Sequence, residues 1–192
     1  MKLKNSKGFS VIESMIAALL ASIIILGVYN FYLNQQNFSI GQAKKAQLQR
    51  NLRLSMDIII QGIRRTGYDP EGSGSFGISP ESTAAEIRYT LDENNDGLLG
   101  AGEEHRFRLD GTTLQYTKDA NVGEPGGSFT WHSVNVDPIE ISALEFTYLD
   151  VDDPVDGVVD MVGISITGQI KMPLGSGVYE TQTLNSKTGL RN

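Results

Sequence analysis

The sequence predicts an α+β chain: one long N-terminal helix, membrane-spanning in its first half, packed on an antiparallel β-sheet. Three observations carry this. Residues 14–33 form a run of 20 residues without a charge; as a helix rising about 1.5 Å per residue they span roughly 30 Å, the thickness of a bilayer's hydrocarbon core. Residues 34–66 contain no proline, and Leu48, Leu52, Met56, Ile59 or Ile60, and Ile63 recur at spacings of three and four, a stripe along one helix face. After Gly67 the pattern changes to short alternating runs separated by Gly, Asp and Asn, which reads as strands joined by turns.

Composition narrows the function. With the membrane segment set aside, the 192 residues leave enough chain for one domain of ordinary size. There is no cysteine, hence no disulfide, thiol nucleophile or Cys-ligated metal. The formal charge is -7 but unevenly spread: residues 1–68 carry nine Lys/Arg and two Asp/Glu (+7), and residues 69–192 carry seven and 21 (-14). So acidic a head is poorly suited to neutralising phosphates, so nucleic acid is not expected as a partner. It is better suited to binding cations.

The chain opens with a basic leader, Lys2, Lys4 and Lys7 followed by Gly8. Positive charge ahead of the apolar run places the leader in the cytoplasm and sends the remainder across the membrane. A cleaved secretory signal would have an apolar core of roughly 7–15 residues and a small-x-small cleavage site, which this run does not offer. Within the segment Glu13 is the one charged residue, and an ionisable side chain there is costly unless it stays near the interface or finds a partner.

Lys7-Gly8-Phe9-Ser10-Val11-Ile12-Glu13-Ser14-Met15-Ile16-Ala17-Ala18-Leu19-Leu20 resembles the prepilin-type cleavage and methylation segment of type IV pilins and type II secretion pseudopilins. That resemblance implies a pilin-like fold, cleavage after Gly8 by a prepilin peptidase, N-methylation of Phe9, and Glu13 as the carboxylate that neutralises the Phe9 amine of an adjacent subunit. The implied partners are other pilins or pseudopilins through the N-terminal helix, the prepilin peptidase/methyltransferase and an inner-membrane assembly platform. The implied location is the inner membrane, single-pass with the globular part in the periplasm, and then a pilus or pseudopilus. The division expected is a leader at 1–8, a transmembrane part at 9–33, an exported continuation of the helix at 34–66 and a β-rich domain at 67–192.

A continuous helix to about Arg65 would be on the order of 85 Å long. Arg64 and Arg65 suit the negative end of its dipole, Gly67 suits the position just beyond, and Tyr68-Asp69-Pro70 breaks it. Gln61-Gly62-Ile63-Arg64-Arg65-Thr66-Gly67-Tyr68, and more loosely the end Gly189-Leu190-Arg191-Asn192, are similar to the PilW and PulJ branch of minor pilins. Residues 71–80, rich in Gly and Ser, read as a flexible loop.

Ile87, Tyr89 and Leu91 alternate with polar residues as a half-buried strand. It runs into a twelve-residue stretch, 92–103, that fits a calcium loop. Asp92, Asn94 and Asp96 stand at positions 1, 3 and 5, Gly97 at the sharp turn, the Leu98 carbonyl at position 7 and Glu103 at position 12. Apolar Leu99 at position 8 is expected to anchor the loop to the core, and like-charge repulsion is expected to leave it disordered or strained without metal. The other reading is a solvated acidic hairpin with an Asn-Asp-Gly turn, since no helix follows. His105, beside Glu103 and Glu104, is expected to be surface or hydrogen-bonded, with a raised pKa; His132 is expected to be equally bland.

Residues 106–109 and 114–116 form a hairpin about Asp110-Gly111, residues 121–128 a Gly/Pro loop, and 129–131 a short strand. Strands at 139–148, 162–166 and 178–184 complete the sheet. Between the first two of these lies a second acid cluster, where Asp150, Asp152, Asp156 and Asp160 either surround a second calcium or line an acidic connection broken by Pro154.

No constellation for catalysis is present: no phosphate-cradling Gly-rich loop, no nucleophile motif and no His-x-x-x-His. The chain is therefore read as a structural subunit, a minor pilin or pseudopilin that initiates or assembles a pilus or secretion pseudopilus, and not as an enzyme. The alternative is a tip-located binding module contacting surfaces, other minor subunits or exported substrate, with loops 71–80 and 121–128 as its contact surfaces.

Overall fold

The computed structural model describes residues 10–118, 130–151, 158–173 and 177–190. The chain divides into two compact units, Met1–Ala43 and Lys44–Asn192. One helix, α1 (Val11–Arg64), contributes to both. Gly27 and Gly41 lie inside it without interrupting it.

In the first unit the described residues of the helix are mostly exposed. Every large apolar side chain from Val11 to Tyr32 is more than half exposed, which for so long an apolar face marks contact with lipid or with other proteins. By length and composition this helix is able to cross a membrane.

In the second unit the helix is the core's spine. Leu48, Leu52, Met56, Ile59 and Ile63 are buried, with Ile60 packed at the edge, so the spacing of three and four identifies the buried face correctly. Among the described residues seven antiparallel strands follow: β1 (Glu86–Thr90), β2 (Glu104–Asp110), β3 (Thr113–Lys118), β4 (His132–Ser133), β5 (Ile139–Leu149), β6 (Met161–Lys171) and β7 (Tyr179–Gly189). They form two sheets rather than one, in the orders β1-β2-β3-β4 and β5-β6-β7. Backbone bonds from Ile141 to the Thr112 carbonyl (2.9 Å) and from Phe146 to the Ala84 carbonyl (2.8 Å) link the two.

The β2-β3 hairpin pairs Phe107 with Tyr116 and Leu109 with Leu114, and turns at Gly111, whose φ is +61°. Several boundaries differ from expectation; β6, for one, runs 161–171 rather than 162–166. The short strand is 132–133 rather than 129–131, because Asn135 takes over the bonding of this segment: its Oδ1 accepts from the Leu114 amide at 2.7 Å. β7 continues through Gly189, its side chains alternating about a polar strand whose ladder to β6 runs the full length. Residues 71–80 are not a free loop, since Ile78 bridges Tyr89 and the Ser79 amide bonds the Arg88 carbonyl at 2.9 Å. The loop 121–128 lies outside the described residues.

Candidate functional site

Two sets of residues are built for more than packing. The first is the start of α1. Ser10 Oγ accepts from the Ile12 amide (3.3 Å), and Glu13 Oε2 accepts from the Ser10 amide (2.8 Å). This reciprocal arrangement is a capping box, which satisfies donors that a helix start otherwise leaves open. The sequence reading placed Glu13 either near the interface or against a partner, and missed that Ser10, three residues earlier, gives its carboxylate a local one. The pattern Ser-x-x-Glu was legible. Gly8 and Phe9 lie outside the described residues.

The second set is the loop between β1 and β2. The helix ends as its sequence suggests: Arg65 and Thr66 tighten the last turn by bonding the Gly62 and Ile63 carbonyls, and Gly67, at φ +74°, reverses the chain. Gly67 then donates to the Thr90 carbonyl and Asp92 to the Tyr68 carbonyl, so the helix end and the start of the loop are stitched together.

From there the loop winds around two buried carboxylates. Asp92 Oδ1 accepts from the amides of Asn95 (2.6 Å) and Asp96 (3.2 Å), and Oδ2 from Gly97 (3.1 Å). Glu103 Oε1 accepts from Glu93 (3.2 Å) and Asn94 (3.4 Å), and Oε2 from Gly100 (2.7 Å). Asn94 Oδ1 accepts from the Asp96 amide at 2.9 Å, and Asp96 Oδ1 from the Leu98 amide at 2.8 Å. Three residues with positive φ make the winding possible, Asn95 at φ +60°, Gly97 at φ +68° and Gly102 at φ +85°.

Asp92, Asp96 and Glu103 each place a carboxylate oxygen within 4.8 Å of the others. Hard oxygen donors at this separation suit a cation such as calcium, held by oxygens at about 2.4 Å. Leu99 does not anchor the loop: it is 40 % exposed, and Leu98 70 %. A strand rather than a helix follows Glu103, so no second helix is present to receive a position-8 side chain. The loop is held instead from beneath, by Asp92 and Glu103.

Within this loop, Glu93 meets three elements at once. It pairs with Lys118 of β3, lies 3.8 Å from Arg65 at the end of α1, and lies 3.4 Å from His105 Nε2 on β2. His105 itself is buried, with Nδ1 2.6 Å from the Tyr116 hydroxyl and its ring stacked on Tyr89. Burial lowers its pKa to about 4, outweighing the carboxylate that raises it. The expected upward shift is thus reversed: burial of the ring dominates, and the carboxylate that faces it is Glu93 rather than its neighbours in sequence, Glu103 and Glu104. His132 is exposed, as expected. At the second acid cluster Asp160 Oδ2 accepts from the Val151 amide at 2.7 Å. Asp150 is described, whereas Asp152 and Asp156 lie outside the described residues.

An exposed apolar helix with a capping glutamate, continued into a spine for antiparallel sheets, defines the pilin class of membrane-anchored subunits. Residues 3–29 match the prokaryotic N-terminal methylation motif, and residues 41–184 match the family described as prepilin peptidase-dependent protein B. The second match covers most of the chain, which belongs to that family. Among solved structures the fold is similar to a type IV-like pilin from Thermus thermophilus, with a TM-score of 0.53 at 10 % identity, covering 74 % of this chain and 96 % of that one. A search of curated proteins finds none that matches.

Proposed function

We propose that this minor pilin or pseudopilin is cleaved after Gly8, N-methylated on Phe9, and drawn from the inner membrane into a filament by its exposed apolar helix, with its head in the periplasm beforehand. The observation that carries the reading is Glu13, set at the start of an apolar helix whose large side chains lie open to the surroundings. In lipid, its capping hydrogen bond satisfies one oxygen but leaves the negative charge unanswered, whereas an amine on a neighbouring processed subunit answers the charge. Pairing at one helical position also sets the axial step between subunits. Glu13→Ala is expected to insert into the membrane normally and to be absent from sheared filaments; wild-type incorporation of that variant overturns the role.

The loop 92–103 is read as a calcium site with Asp92, Asn94, Asp96, the Leu98 carbonyl and Glu103 as ligands. The convergence of three carboxylates within 4.8 Å supports it. Calcium would neutralise buried negative charge between β1 and β2 and fasten the loop at the end of α1. On the full chain in detergent, calcium at about 100 times its Kd is expected to stabilise by about 2.7 kcal/mol, with EDTA removing the gain. An identical melting curve in calcium and in EDTA refutes the site.

A further inference from the structure

A cleft of about 630 Å³ opens beside the end of α1, lined among others by Thr66, Asp69, Phe76, Ile78, Tyr148 and Leu190. Half of its lining residues are aromatic or aliphatic, yet two polar atoms in its lining residues are stranded. Thr66 is fully buried, and its Oγ1 has no hydrogen-bond partner; Asp69 Oδ1 is likewise shielded and without one. The other Asp69 oxygen is occupied, since Oδ2 accepts from Ser73 Oγ (3.0 Å) and the Gly74 amide (2.7 Å). These bonds fix the carboxylate's orientation and leave its second oxygen spare.

The missing group is a donor, because an ionised carboxylate only accepts. Partial burial pushes the Asp69 carboxyl up, but the hydrogen bonds from Gly74 and Ser73 outweigh it and hold the pKa below the ordinary value. A donor with an apolar stem fits the rest of the lining, and residues 69–192, at a net -14, draw basic partners. Arginine suits this lining better than lysine: its planar fork has donors enough for Asp69 and Thr66 together, and its face packs on aromatic rings such as Phe76 and Tyr148. We propose that this cleft receives an arginine side chain presented by a partner protein. Both stranded atoms are covered in the structure, so reaching them requires the turn at residues 70–74 to open, while Gly77, bonded to Thr90 through both its amide and its carbonyl, stays in place. The site is independent of the acid loop and of whether the filament is a pilus or a pseudopilus.

The test is a titration of the full chain in detergent micelles with N-acetyl-arginine amide, followed by amide NMR shifts, with the neutral isostere N-acetyl-citrulline amide as control. Saturable shifts at Thr66, Gly74 and Phe76 are expected with the arginine compound, weakened about tenfold by Asp69→Asn. Thr66→Val is expected to weaken binding while leaving the melting temperature unchanged or higher, since it removes a hydroxyl that has no partner. Equal shifts with citrulline, shifts confined to residues 92–103, or a lowered melting temperature for Thr66→Val each overturn the assignment.

Discussion

Two glycines set how closely α1 lies on its sheets. A Cβ at Gly168 of β6 would sit 2.6 Å from Leu52 Cδ2, and one at Gly62 would sit 2.4 Å from the Tyr89 hydroxyl. Neither contact is tolerable, so each glycine is where backbone and side chain are allowed to touch. Gly168→Ala is expected to cost about 1–3 kcal/mol by overpacking, read as a lower denaturation midpoint at unchanged slope. A variant as stable as wild type would mean the helix shifts freely on the sheet. Glu13 separates into two roles at this same scale. Glutamine keeps a carbonyl for the capping box but loses the charge, so Glu13→Gln is expected to retain helicity and membrane insertion yet fail to enter filaments. Normal entry would show that the cap alone is what filaments need.

Among the elements, the tether at the end of β5 has a consequence at high pH. The Tyr148 hydroxyl donates to the Thr83 carbonyl at 2.8 Å, and burial pushes its pKa up to about 12. In the unfolded chain the phenol ionises near its ordinary value of about 10. Between the two values only the unfolded form has lost its proton, so stability from this group is complete below about pH 10 and disappears as pH rises through about 12. Melting temperature is therefore expected to fall across that window, and to fall less in Tyr148→Phe; equal slopes would deny the tether. The helix was readable because its pattern is local: Leu48, Leu52, Met56, Ile59 and Ile63 declare their face by spacing alone. The acid loop was readable for the same reason, with its turn residues and carboxylates at fixed offsets. The split into two sheets was not, since nothing in the residues between β4 and β5 says that β5 pairs with β6 rather than with β4, its neighbour in the chain. The end of β7 was hidden too, because Asn185, Ser186, Lys187 and Thr188 give no apolar alternation to read. His105 was misjudged because Glu93, Tyr116 and Tyr89 reach it from other segments.

For the molecule as a whole, the sequence divides labour between its two units. Met1–Ala43 offers lipid or neighbours an apolar helix, and Lys44–Asn192 carries its own core around the same helix's later turns. Within the second unit, Lys44 Nζ bonds the Lys171 carbonyl at 2.6 Å and Lys45 pairs with Glu180 at 2.9 Å, so the sheet edge is fastened to the helix close to where that unit begins. Removing the leader takes three lysines with it and moves the formal side-chain charge from -7 to -10, while creating the one cation that Glu13 lacks. Everything proposed for assembly depends on that exchange. Mass spectrometry of the membrane-extracted protein, from cells with an active prepilin peptidase, tests it directly. The account predicts a chain beginning at N-methylated Phe9, and a chain still carrying Met1 or Lys7 would contradict it.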